Sequence, residues 1–96
     1  MPVTHIVLLR WASDDPVPGS AVREAIRGLP AVIPSIRDLR EGPSSSPEGL
    51  EGGYEYGFVM TFDDEAARDA YLVHPAHLPV AEQIGRASAA VLVYDV

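Results

Sequence analysis

A chain of 96 residues, 47% hydrophobic and 22% charged, is sized and composed for one globular domain, residues 1–96. Its net charge of −7 argues against a nucleic-acid partner, because phosphate binding needs a basic surface. With no cysteine there is no disulfide framework, no thiolate metal site and no cysteine nucleophile.

No apolar run approaches the ~20 residues of a membrane span, and no signal peptide precedes the first apolar segment. The expected location is therefore the cytoplasm, with no membrane partner. A domain this small buries only about 60–65% of its unfolded surface, so association would add stability.

VTHIVLLRW, residues 3 to 11, is β-branched and apolar and reads as the first strand. Alternation puts His5, Val7 and Leu9 on one face and Ile6, Leu8 and Arg10 on the other. Both faces are largely apolar, as expected of a strand covered on both sides. SDDPVPGS, 13 to 20, is a turn-rich loop, and a helix is expected from about Ser20 as N-cap, with Val22, Ile26 and Leu29 at helical spacing. Pro30 limits that helix, Ile33-Pro34 breaks the chain again, and Ser35 to Glu41 reads as the second strand.

GPSSSPEGLEGG, 42 to 53, is a long loop, either an inert connection or a flap over a pocket. Tyr54 to Phe62 is the third strand, with Tyr56, Phe58 and Met60 on one face; Gly57 within it implies close approach by another backbone or a ligand. Asp63 or Asp64 caps the next helix, which is expected to bury Ala67, Ala70 and Tyr71. His74-Pro75 breaks it, since the residue before proline is pushed out of helical geometry. A short helix from Pro75 to about Arg86 and a last strand, Ala90 to Val96, complete the chain.

The order β-α-β-β-α-α-β is an α+β, ferredoxin-like βαββαβ pattern with a broken second helix. One sheet face packs on the helices. The other is expected to carry Ile6, Leu8, Val59, Val91 and Val93, an apolar patch that a second copy of the chain would cover. A homodimer is expected on that ground.

Tyr71 and His77 are the leading candidates for chemistry. Within hydrogen-bond reach, a phenol and an imidazole form an acid/base couple. Six residues across a helix break is no regular spacing, and a core tyrosine beside a helix-capping histidine is the structural alternative. His5, Tyr56, Tyr71 and His77, with Phe58 on the strand face of Tyr56, are candidates to line one small-molecule pocket. A histidine on an apolar face is more often a satisfied core residue, which is the competing reading for His5. His74 is expected to be structural, and His74 with His77 makes only a weak metal pair lacking a clear carboxylate third ligand. No metal is expected.

THIVLLRW, IPSIRDLREG, SPEGLEGGYEYGFVMTFDDEAARDAYLVHPAH and VLVYDV together resemble the stress-responsive dimeric α/β-barrel (Dabb) family over nearly the whole chain. HPAH after a tyrosine-bearing helix is the most specific of these. The resemblance implies a ferredoxin-like subunit and a dimeric α+β barrel whose two sheets face each other. A plant polyketide cyclase of this family closes a linear polyketide by an aldol-type condensation. Its Tyr and His acid/base pair matches Tyr71 and His77, and its pocket histidines match His5 and His74. Its strand-three pocket histidine corresponds to Tyr56, and a helix-one pocket tyrosine corresponds to Ile26. The resemblance thus implies a cofactor-independent cyclase or lyase acting on a β-polycarbonyl, polyketide-like ligand. The alternatives are a non-catalytic stress-response or small-ligand-binding dimer, and a cofactor-free monooxygenase.

Overall fold

A computed structural model describes residues 1–12 and 18–96, Pro18 by its backbone alone. The expected loop at 13 to 20 therefore lies mostly outside the described residues. The elements are β1 (Val3–Trp11), α1 (Pro18–Val32), β2 (Asp38–Pro43), β3 (Tyr56–Phe62), α2 (Glu65–Leu72), α3 (His77–Ala87) and β4 (Ser88–Asp95). The strands form one antiparallel sheet in the order β2-β3-β1-β4. This is the ferredoxin-like arrangement, with its second helix divided into α2 and α3.

The central strands β1 and β3 are buried on alternate residues, as a period of two requires. Val3, His5, Val7 and Leu9 pair across to Phe62, Met60, Phe58 and Tyr56, and all eight are buried beneath the helices. Helix α1 adds Val22, Ile26 and Leu29 at helical spacing, with Ile33 just beyond its end. Burying each such side chain is worth roughly 1.5–3 kcal/mol.

Several boundaries differ from the sequence expectation, each for a local reason. Helix α1 begins at Pro18, where a proline fits the first helical position, so Ser20 lies inside the first turn. Pro30 is accommodated within α1 two residues from its end, and the next turn still closes through the Ile33 N–H to Leu29 carbonyl bond of 2.9 Å. After Pro34 the chain turns, with the Ile36 N–H on the Ile33 carbonyl, which delays β2 to Asp38. Strand β4 starts two residues early, at Ser88. In α2, Asp64 is the cap, its carboxylate accepting the Ala67 N–H at 2.8 Å. Tyr71 is buried and Ala67 half-buried, but Ala70 is exposed, because only one stripe of so short a helix meets the sheet.

The pairing register also corrects the expected open face. Val7 pairs with Val93 and Leu9 with Val91, which puts both β4 valines on the helix side. Leu92 and Tyr94 pair with Leu8 and Ile6 and take their place on the open side, with Val59 opposite Ile6 on β3. Gly57, also on that side, makes room for Leu8: a Cβ there would stand 2.9 Å from the Leu8 Cδ2.

Candidate active site

The break between α2 and α3 places the candidate groups. Val73 ends α2, and His74 and Pro75 leave the helical path because proline has no N–H and crowds the residue before it. The His74 Nδ1 accepts the Ala76 N–H at 3.0 Å, and the His74 carbonyl accepts the His77 N–H at 2.9 Å. The chain re-enters a helix at His77, two residues after the expected start. Pro79 falls in the first turn of α3, where a missing N–H costs no intrahelical bond.

This turn folds the His77 ring back over the end of α2. Its Nδ1–H donates to the Leu72 carbonyl at 3.0 Å. A carbonyl only accepts, so the proton of the neutral ring is on Nδ1 and the lone pair is on Nε2. Burial pushes the His77 pKa below the usual histidine value, with the Leu72 bond opposing it. The Tyr71 ring lies 4.3 Å from the His77 ring, centre to centre, with the planes inclined by 47°. The two touch through their rings, and the Tyr71 hydroxyl has no hydrogen-bond partner among the described residues. Burial alone raises the Tyr71 pKa to about 12, so the phenol keeps its proton across the physiological range.

On the other side of Tyr71 stands His5, its ring centre 5.8 Å away in an edge contact. Tyr71, His77 and His5 line a half-open cavity of about 250 Å³ between the α2–α3 corner and the sheet. Val7, Phe58, Val91 and Val93 supply its sheet wall, and Leu72, Ala81 and Ile84 its helix wall. The walls are apolar and the few polar groups converge on one corner, the usual makeup of a small-molecule site.

Four of the seven residues singled out from the sequence thus come together: His5, Phe58, Tyr71 and His77. The other three are elsewhere. Ile26 is fully buried in the core under α1. His74 is held in the turn by its bond to Ala76. Tyr56 lies one alternation further along β3 than Phe58, at the opposite end of the helix-covered face, where its ring meets Trp11 at 5.4 Å. Its hydroxyl donates to Glu41 at 2.7 Å, and Glu41 also takes Arg23 at 2.9 Å and Arg27 at 2.7 Å. Residues 42 to 53 do not line the Tyr71–His77 cavity. Among the described residues no group of three His, Cys, Asp or Glu side chains is placed to hold a metal ion, and no helix is long and apolar enough to cross a membrane.

Sequence reasoning missed Asp95 and Arg68. The His5 Nδ1 meets the Asp95 carboxylate at 2.7 Å, and the other carboxylate oxygen meets Arg68 at 2.9 Å. The signal lay in β4: an aspartate in an otherwise apolar strand, on the parity of Val91 and Val93.

A ferredoxin-like subunit with a histidine- and tyrosine-bearing cavity under a broken helix defines the class, and comparison with known proteins agrees. The chain belongs to the stress responsive A/B barrel domain (Dabb) family, whose model matches residues 3–96. It is 26% identical to olivetolic acid cyclase of Cannabis sativa over 81 residues, covering 81% of this chain and 78% of the cyclase. Among solved structures, a dimeric ferredoxin-like protein of unknown function from Jannaschia sp. CCS1 superposes with a TM-score of 0.88 at 30% identity, covering 100% of this chain and 98% of that one. The hydroxynitrile lyase of Passiflora edulis superposes at 0.91, covering 99% and 91%, and its 20% identity speaks to the fold alone.

Proposed function

We propose that this protein is a cofactor-independent lyase of the cyclase type, which closes or cleaves carbon–carbon bonds in a compact β-polycarbonyl compound by acid–base chemistry. The observation that carries the reading is the His77 Nδ1–H bond to the Leu72 carbonyl, beside a buried tyrosine whose hydroxyl has no partner among the described residues.

His77 is the base. Its Nε2 carries the lone pair, and burial keeps the ring neutral near pH 7. It takes a proton from the carbon between two carbonyls, which is acidic enough for a neutral imidazole to remove. Tyr71 donates its O–H to the carbonyl oxygen on which charge collects. The resulting enolate carbon attacks a second carbonyl of the same chain, a C–C bond forms, and the new alkoxide takes the proton back through His77. The similarity to olivetolic acid cyclase supports this class of reaction; the cavity volume of about 250 Å³ favours a compact ligand.

The working unit in this reading is a homodimer. Ile6, Leu8, Val59, Leu92 and Tyr94 form an apolar stripe on the open sheet face, and the Jannaschia relative is described as dimeric. Two sheets meeting there would cover it.

The test is an assay of linear β-polyketones for ring closure with the native protein, His77→Ala and Tyr71→Phe. Closure by the native protein and its steep loss in both folded variants is expected. Equal rates in all three would remove the mechanism. Saturable binding without turnover would favour a ligand-binding role.

A further inference from the structure

His5 is the one buried polar residue of the described core, 4% exposed, and the mechanism above leaves it without a task. It lies on the helix side of β1, directly opposite Asp95 on β4. Its Nδ1 is 2.7 Å from the Asp95 Oδ1, and the Asp95 Oδ2 takes the Arg68 Nη1 at 2.9 Å. The residues form a chain from the half-buried Arg68 of α2, through the end of β4, to the wall of the cavity. Arg68 is held a second time by Asp69 at 3.0 Å. Asp95 stays ionised: burial works against its charge, but the bonds from His5 and Arg68 outweigh that and hold its carboxyl below the usual range.

An ionised carboxylate only accepts, so the His5 Nδ1 must carry hydrogen. In the neutral ring the lone pair then sits on Nε2, which has no partner among the described residues. The groups packed against the ring are Asp95 from β4, Tyr71 from α2 and the Phe62 ring of β3, 6.3 Å away. His77 of α3 stands beyond Tyr71.

We propose that Asp95 and Arg68 are positioning residues that fix His5 as a second hydrogen-bond acceptor of the cavity, so that two tautomer-locked imidazoles flank one phenol donor. The two locks differ in kind. A backbone carbonyl holds His77, and an ion pair holds His5. A ligand matching this arrangement offers one carbonyl oxygen to Tyr71 and two acidic hydrogens, one to each imidazole. A β-tricarbonyl compound with one end enolised does so: the C–H between its two keto groups faces His77 and its enol O–H faces His5. The assignment rests on reading the cavity as an acid–base site.

The test begins without substrate. Long-range nitrogen NMR of the native protein above neutral pH is expected to show the His5 proton on Nδ1, the tautomer that free imidazole side chains in water disfavour. Asp95→Leu removes the acceptor and should move the proton to Nε2. Asp95→Asn retains an acceptor oxygen and should restore the Nδ1–H form. Arg68→Met leaves Asp95 unanchored and should give a mixture. A native proton on Nε2, or a His5 spectrum unchanged in Asp95→Leu, overturns the proposal. Should Asp95→Leu not fold, an unchanged spectrum in Arg68→Met overturns it equally. With a turned-over polyketone, Asp95→Leu should lower kcat about a hundredfold with little change in KM, and an unaltered kcat would refute the role. Failure of the native protein to turn over any polyketone while the tautomers behave as stated would instead count against the proposed reaction.

Discussion

Two buried tyrosines at opposite ends of the same sheet face set the two halves of this domain apart. Tyr56 and Tyr71 are 3% and 1% exposed, so burial alone does not distinguish them. Their hydroxyls do. Tyr56 donates to Glu41, which two arginines also hold, and its pKa is raised by burial and then by that carboxylate. The Tyr71 hydroxyl has no partner among the described residues, and its pKa is raised by burial alone. A buried hydroxyl that is satisfied stabilises the fold. One that opens on a cavity, as that of Tyr71 does, is left to bond a ligand.

The sharpest way to break this comparison is at the cavity. His77→Ala and Tyr71→Phe should each reduce turnover of a β-polycarbonyl substrate by about 10²–10⁴-fold. Circular dichroism and thermal melting should show both variants folded. Tyr71→Phe removes a hydroxyl that bonds none of the described residues, so its stability should move by less than about 0.5 kcal/mol.

At the other end the signs reverse. Glu41→Gln removes the charge that Arg23 and Arg27 share and should cost about 2 kcal/mol in denaturant unfolding, with turnover unchanged. The Glu41 pKa is lowered from 4.5 to about 2, first by the Arg23 bond, with burial opposing and Tyr56 and Arg27 assisting. A carboxylate whose folded pKa is depressed stabilises fully above its unfolded value. That contribution is lost as pH falls from about 4.5 towards about 2. Glu41→Gln should therefore flatten the acid limb of a stability–pH curve. Tyr56→Phe, which leaves the two arginine pairs in place, should cost only about 1 kcal/mol.

A pH profile sharpens the contrast further. The His77 pKa lies below the ordinary 6.5 because of burial, so the base is lost only in acid. The Tyr71 O–H persists to about 12. Turnover should be flat through neutral pH and fall as pH drops below 6.5, and a rise in that range would contradict the assigned roles. The smallest effect concerns assembly. Leu92→Asp, on the open face, should shift the protein towards monomer in sedimentation velocity while leaving His77 and Tyr71 in place.

Much of the architecture was legible from local chemistry. The β-branched run at 3 to 11, the Asp64 cap and the His74-Pro75 break each act through near neighbours, and each appears in the structure where expected to within a few residues. The pocket was only partly legible. Phe58 and Tyr56 occupy the same strand face, yet one lines the cavity and the other closes an ion-pair cluster about two residues away. Periodicity assigns a face and says nothing of which helix lies above each position.

The amino-acid sequence by itself determined the element order, the buried side of β1 and β3, and the corner that carries Tyr71 and His77, because those follow from backbone sterics and alternation. The parity of β4 was decided by tertiary structure. AAVLVY is apolar on either phase, and only pairing with β1 turned Val91 and Val93 inward and brought Asp95, 90 residues away in the chain, against His5. Contacts of that span depend on register across a sheet, and register is a property of two strands together.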